Sequence, residues 1–309
     1  MARVRNLGAV TASSVIAVSL LASCSGGGGD GADGGPPALG DVPRINRSAD
    51  IPGLPMDAYT LTKDQFITFM AAQRIAARTC MARFGFDYKA LDSTIDPAKA
   101  PPLQPEKPSY FGIIDEDRAA RFGYQSPDLP PGMNKRPTGG ANTTEAEQAV
   151  YTGKAANQQV GGETVPEGGC AKESGVAVQT GAVDGINILA TGNERIDAHE
   201  RALVDDRMKK VHADWSACMK KAGYDYATPK QAVDDEKWHH AGPRRPDEIA
   251  TAKADVACKR RTNVVGTWWA LTEAYERRYV ENNAEHLADV KKSMDVILRN
   301  SARVIEKGD

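Results

Sequence analysis

The chain has 309 residues, with 39 Lys+Arg against 41 Asp+Glu, a formal net charge of −2, 41% hydrophobic and 6% aromatic content. Near-neutral charge without a basic stripe excludes a chain built around nucleic-acid binding. The length is enough to bury one or two ordinary cores.

At the N-terminus Arg3 and Arg5 precede an apolar run, Leu7 to Leu21, that is too short and too rich in Ala and Ser for a comfortable membrane span. Leu21-Ala22-Ser23-Cys24 closes the run, and Ser25 and a glycine tract follow. This order resembles the lipobox of bacterial lipoproteins. The resemblance implies that residues 1–23 are a signal peptide and that Cys24 receives a diacylglycerol. The protein would then be held at the extracytoplasmic side of the cell membrane. Gly26 to Gly35 contains only Gly, Asp and Ala, and Pro36-Pro37 follows. A flexible tether is expected over residues 24–55, with a reach of roughly 30 Å.

Export changes how the cysteines read. Cys80, Cys170, Cys218 and Cys258 remain beside Cys24, and an even number in an oxidising compartment points to two disulfides with three possible connectivities. The sequential pairs are favoured, because each then lies within one half of the chain. No Cys-x-x-Cys and no nearby His pair occurs, so neither a metal nor a cofactor is expected.

Thr62-Lys63-Asp64-Gln65 is a capping box, with Leu61 and Phe66 placed as its hydrophobic staple. Helical spacing then runs through Phe69, Ala77, Cys80 and Met81 to Phe84, and Gly85 should end the helix. Asp115 to Gly123 and Thr144 to Asn157 read as further helices. The proline-rich stretch 97–108 separates them from the first. Val176-Ala177-Val178 and Gly185 to Ile188 are the only strand-like pieces. The domain reading is an N-terminal helical half, 56–190, and a C-terminal helical half, 191–309.

The second half opens with a helix expected to run unbroken from beyond Asn193 to Gly223. Its face would be Ile196, Leu203, Val204, Met208, Val211, Trp215, Cys218 and Met219. Its end repeats the first helix: Cys80-Met81 and Cys218-Met219 are each followed by Gly, an aromatic residue, Asp and Tyr in the same register. Gly85 and Gly223 at C′ would put each Met opposite the following aromatic, as in a Schellman cap. Pro246-Asp247-Glu248 starts a long helix reaching about Glu306, with a break near Asn282-Asn283. Val264, Trp268, Leu271, Leu287, Val290, Met294 and Ile297 form its apolar stripe.

The fold expected is therefore all-α or mostly α: a disulfide-stapled helical module with a duplicated helix-turn unit and a long C-terminal amphipathic helix. Trp215 to Tyr226 together with Cys258 resembles the Trp-x-x-Cys-Met-x-x-x-Gly-Tyr-x-Tyr pattern of uncharacterised exported actinobacterial lipoproteins. That resemblance implies location and disulfides and carries no reaction. No Gly-x-Ser-x-Gly, Ser-x-x-Lys, His-Glu-x-x-His or Gly-x-x-x-x-Gly-Lys occurs. Trp238, His239, Trp268 and Trp269 are the candidates for surface contact. The expectation is a membrane-anchored binding or scaffold module for an envelope protein or wall polymer. A solute-binding lipoprotein of a transporter and a carboxylate-dependent envelope hydrolase are the alternatives.

Overall fold

A computed structural model describes residues 35–87, 112–125, 143–238 and 245–308. Cys24, Tyr88, the proline-rich stretch, His239 and His240 lie outside them. Ten α-helices are found among the described residues. They are α1 (Lys63–Arg83), α2 (Glu116–Phe122), α3 (Glu145–Thr152), α4 (Gly169–Gln179) and α5 (Thr191–Val204), then α6 (Asp206–Lys221), α7 (Pro229–Val233), α8 (Pro246–Thr262), α9 (Val264–Asn282) and α10 (Ala284–Gly308). Two two-residue strands, β1 (Gln159–Val160) and β2 (Glu163–Thr164), form one antiparallel hairpin. The chain is mostly helical.

Both disulfides form, Cys80–Cys170 and Cys218–Cys258. The duplicated helix end is a Schellman cap in both copies. The Phe86 and Gly85 amides donate to Met81 and Ala82, and the Tyr224 and Gly223 amides donate to Met219 and Lys220. Gly85 and Gly223 have φ of +78° and +92°, which only glycine adopts cheaply. Each disulfide therefore hangs one residue before the C3 methionine and ties a capped helix end to another helix.

Three buried clusters fill the fold. The first gathers Met208, Trp215, Met219, Val256, Trp268 and Leu271 with Ile113 and Ile114. The second joins Phe69 and Ala72 of α1 to Val178 of α4 and Val290, Met294 and Ile297 of α10. The third surrounds Cys80–Cys170 with Met81, Phe84, Val150 and Val165. The division at residue 190 does not hold in space, because α10 returns to pack along α1 and α4. Its stripe is too apolar to stay at the surface, and α1 offers the matching face.

Four local expectations are corrected. Residues 36–55 are no tether: Pro37, Ile45, Ile51 and Leu54 are buried, and the segment lies as a strap on α6, α8 and α9. Its carbonyls at Pro37, Pro43, Asn46 and Pro52 accept from Arg207, Asn263, Arg260 and Trp269. A Cβ at Gly266 would overlap the Pro43 carbonyl, which explains a glycine inside α9. Val176 to Val178 belong to α4, where Cys170 and the helices on either side override β propensity. The helix expected from Asn193 to Gly223 breaks at Asp205, whose extended backbone and side chain cap α6. The break shifts the helical phase, so Ile196 and Val204 face outward. Finally, the C-terminal stretch also breaks at Asn263, in the left-handed conformation (φ 54°), where its side-chain amide donates to the strap.

Candidate functional site

The aromatic residues expected at the surface are mostly covered. Trp238 is buried, its indole N–H donating to the Ala232 carbonyl at 2.8 Å. Trp268 is buried and donates to His199 Nδ1 at 2.7 Å. Trp269 is half-buried and donates to the Pro52 carbonyl at 3.1 Å. The two adjacent rings point to different sides of α9, and both sides are covered, one by α5 and the other by the strap. His239 lies outside the described residues. None of the three indoles offers an open contact surface.

What the tertiary structure assembles instead is a set of buried polar clusters. On α5 and α9, Arg195 donates to Asp57 at 2.9 Å and lies 3.7 Å from Glu276. Glu276, 1% exposed, also accepts the Met56 amide at 2.9 Å. Burial pushes the Glu276 carboxyl up to about 7 despite that amide and the Arg195 charge. One turn away on α5, burial pushes His199 down to about 4. Because His199 Nδ1 accepts the Trp268 N–H, the neutral ring carries its proton on Nε2.

These two groups oppose each other in pH. His199 has a lowered folded pKa, so its contribution to stability is lost as pH falls from about 6.5 to about 4. Glu276 has a raised folded pKa, so its contribution is lost as pH rises from about 4.5 to about 7. Across pH 4.5–6.5 the two slopes cancel. His199→Gln should leave a stability that falls with rising pH in this window, by on the order of 1 kcal/mol per pH unit, and Glu276→Gln should give the opposite slope. Urea unfolding of both variants at stepped pH checks this. Parallel profiles for wild type and variants would refute it.

A second cluster lies between α8, α6 and the segment around α2. Asp255 is fully buried, accepting from Trp215 Nε1 at 3.0 Å and from Lys259 Nζ at 2.8 Å. Lys259 also donates to the Ile113 carbonyl at 3.1 Å. Burial raises the Asp255 carboxyl, and the facing Lys259 charge, the Trp215 indole and Tyr124 only partly offset it. Beside it, buried Glu248 accepts the Tyr124 and Gln125 amides at 3.0 and 3.3 Å, closing the end of α2. Gly123 is required there, since its φ is +56° and a Cβ would meet the Glu248 side chain.

The acidic segment before Trp238 forms a third, half-exposed group. Tyr226 donates to Asp235 at 2.7 Å and accepts from Lys237 at 2.5 Å, and Lys237 lies 4.3 Å from the Trp238 ring centroid. The Lys237 ammonium and the Tyr226 hydroxyl hold the Asp235 carboxyl down to about 2. The Tyr of the second repeat thus ties the capped end of α6 to the Asp235–Trp238 segment.

The sequence reading missed Arg195, His199, Asp255, Lys259 and Glu276. A signal was present: Asp255 and Lys259 are spaced i,i+4, and Glu276 continues the i,i+4 row of Trp268 and Thr272 onto the buried face of α9. All these charged groups are paired in closed surroundings, an arrangement that holds helices in place and gives a substrate no access to Glu276. Among the described residues no group of three His, Cys, Asp or Glu could hold a metal ion, and no helix is long and apolar enough to cross a membrane. Comparison of this chain with protein-family models, with curated proteins and with solved structures gives no match.

Proposed function

We propose that the chain is a lipid-anchored extracytoplasmic lipoprotein whose helical module binds another component of the cell envelope. The lipobox and two disulfides support the compartment. The binding role is carried by an inversion on α5. This helix buries Arg195 and His199 while Ile196 stays 48% exposed, and Leu189 just before it stays 49% exposed. Large apolar side chains left outside on a helix that takes a charge inside fit a contact surface. The apolar stripe of α9 and α10 does not serve this purpose, since the fold uses it internally. The solute-binding alternative needs two α/β lobes, and the helical architecture gives it no support.

The test combines localisation with capture. Cys24→Ala should move the protein out of the membrane fraction, and unchanged fractionation would overturn the anchor. A photo-crosslinking side chain at position 196 should trap one dominant envelope component in cells, while one at the exposed Asp295 of α10 should not. Identical adducts at both positions would remove the binding role.

A further inference from the structure

Asp255 and Lys259 stand one turn apart on α8, so their side chains share one face of that helix. The face is turned fully inward, and the two side chains are 0% and 1% exposed. Lys259 Nζ lies 2.8 Å from Asp255 Oδ2. Both groups are also held from other parts of the chain. The Trp215 indole N–H of α6 donates to Asp255 Oδ1 at 3.0 Å, and Lys259 Nζ donates to the Ile113 carbonyl at 3.1 Å. The Tyr124 hydroxyl faces the same carboxyl from the end of α2.

Two opposite charges taken out of water recover only part of their lost hydration through mutual attraction. Passing one proton along the 2.8 Å bond turns ammonium and carboxylate into amine and carboxylic acid, the forms that burial favours. The upward shift of the Asp255 carboxyl has the same sign. An amine and a carboxylic acid held in contact are the reactants of an amide. The fold has already met the entropy cost of bringing them together, and exclusion of water disfavours the reverse hydrolysis. The neighbours also suit the product. An amide brings one N–H for the Ile113 carbonyl and one C=O for the Trp215 indole.

We infer that Lys259 Nζ condenses with the Asp255 carboxyl, forming a side-chain amide within α8 and releasing one water. The ammonium first gives a proton to Oδ2. The neutral nitrogen then attacks Cγ, while the Trp215 N–H holds the negative charge that develops on Oδ1. The C–N bond forms, a second nitrogen proton passes to Oδ2, and the Cγ–Oδ2 bond breaks as water leaves. No oxidant, metal or activating group is consumed. The amide carries no charge, so the inner face of α8 stays neutral at every pH. The reaction is independent of the lipid anchor and of any envelope partner.

Stability alone does not separate an ion pair from an amide, since removing either residue strands the other, so the readout is mass. The full chain is purified folded with both disulfides intact, then reduced, alkylated and digested with trypsin. An acylated Lys259 resists trypsin, so the expected peptide is 254–260, lighter than its sequence by one water. Peptide 254–259 at full mass, cut after Lys259, would overturn the inference. A water loss that hydroxylamine reverses would assign it to a succinimide and also overturn it. In Lys259→Arg, whose guanidinium is a poor nucleophile, full mass should return, and a persisting loss within this segment would refute the amide. In Asp255→Asn the same bond should form with loss of ammonia in place of water. The wild-type peptide decides the question even where a variant does not fold.

Discussion

Lys259→Met should destabilise the protein by about 3–5 kcal/mol, the cost of leaving one member of a buried ion pair alone. Lys259 and Asp255 are 1% and 0% exposed and sit 2.8 Å apart. Methionine matches the stem of lysine, so little packing is lost. What is lost is the ammonium that offsets part of the burial cost of Asp255, together with the bond to the Ile113 carbonyl. The carboxyl should respond by taking up a proton, which limits the penalty and makes the variant relatively more stable at low pH. Asp255→Leu combined with Lys259→Met removes both charges and should recover most of the stability. A urea-denaturation double-mutant cycle decides it. If the double variant is as unstable as the sum of the singles, the pair is not coupled.

The second large effect is expected from Cys80→Ala with Cys170→Ala, a loss of about 2–5 kcal/mol. The cross-link spans 90 residues, and in the chain-entropy model a loop of that length contributes between about 4 and 5 kcal/mol by restricting the unfolded chain. It ties the capped end of α1 to the first turn of α4, in a cluster that also holds Met81, Phe84, Val150 and Val165. Reduced wild type should lose the increment of this pair and that of Cys218–Cys258 together, since the two bonds lie in separate clusters. Thermal unfolding with and without reductant measures both. A change below about 1 kcal/mol for the Cys80/Cys170 variant would mean that the link adds little to what the core already fixes.

Much of the local structure is written in residue order. The capping box at Thr62 forms as read, with the Gln65 amide donating to the Thr62 hydroxyl and the Gln65 side chain accepting the Thr62 amide. The Schellman ends at Gly85 and Gly223 form because glycine position and the Met–aromatic spacing are local properties. The helical class also follows from the chain alone, whereas the chain only favoured the sequential cysteine pairing among three connectivities and the fold decides it. The lipobox belongs to this group as a reading, and the fractionation of Cys24→Ala tests it.

Only the tertiary structure decided the rest. Periodicity assigns an apolar face but cannot say which neighbour covers it. It therefore misplaced Ile196 and Val204 once Asp205 reset the helical phase, and it left Trp238 and Trp268 as surface candidates. Segment 36–55 looked like a tether because it continues the Gly/Asp/Ala run of residues 26–35 through Pro36-Pro37 and further prolines. Yet Ile45 and Ile51 pack into the cluster of the C-terminal helices, while its carbonyls find Arg, Asn and Trp donors there. The buried clusters at Asp255–Lys259 and Arg195–Glu276 were hidden for the same physical reason. A charged residue reads as surface until its partner, distant in sequence or one turn away, is brought against it out of water.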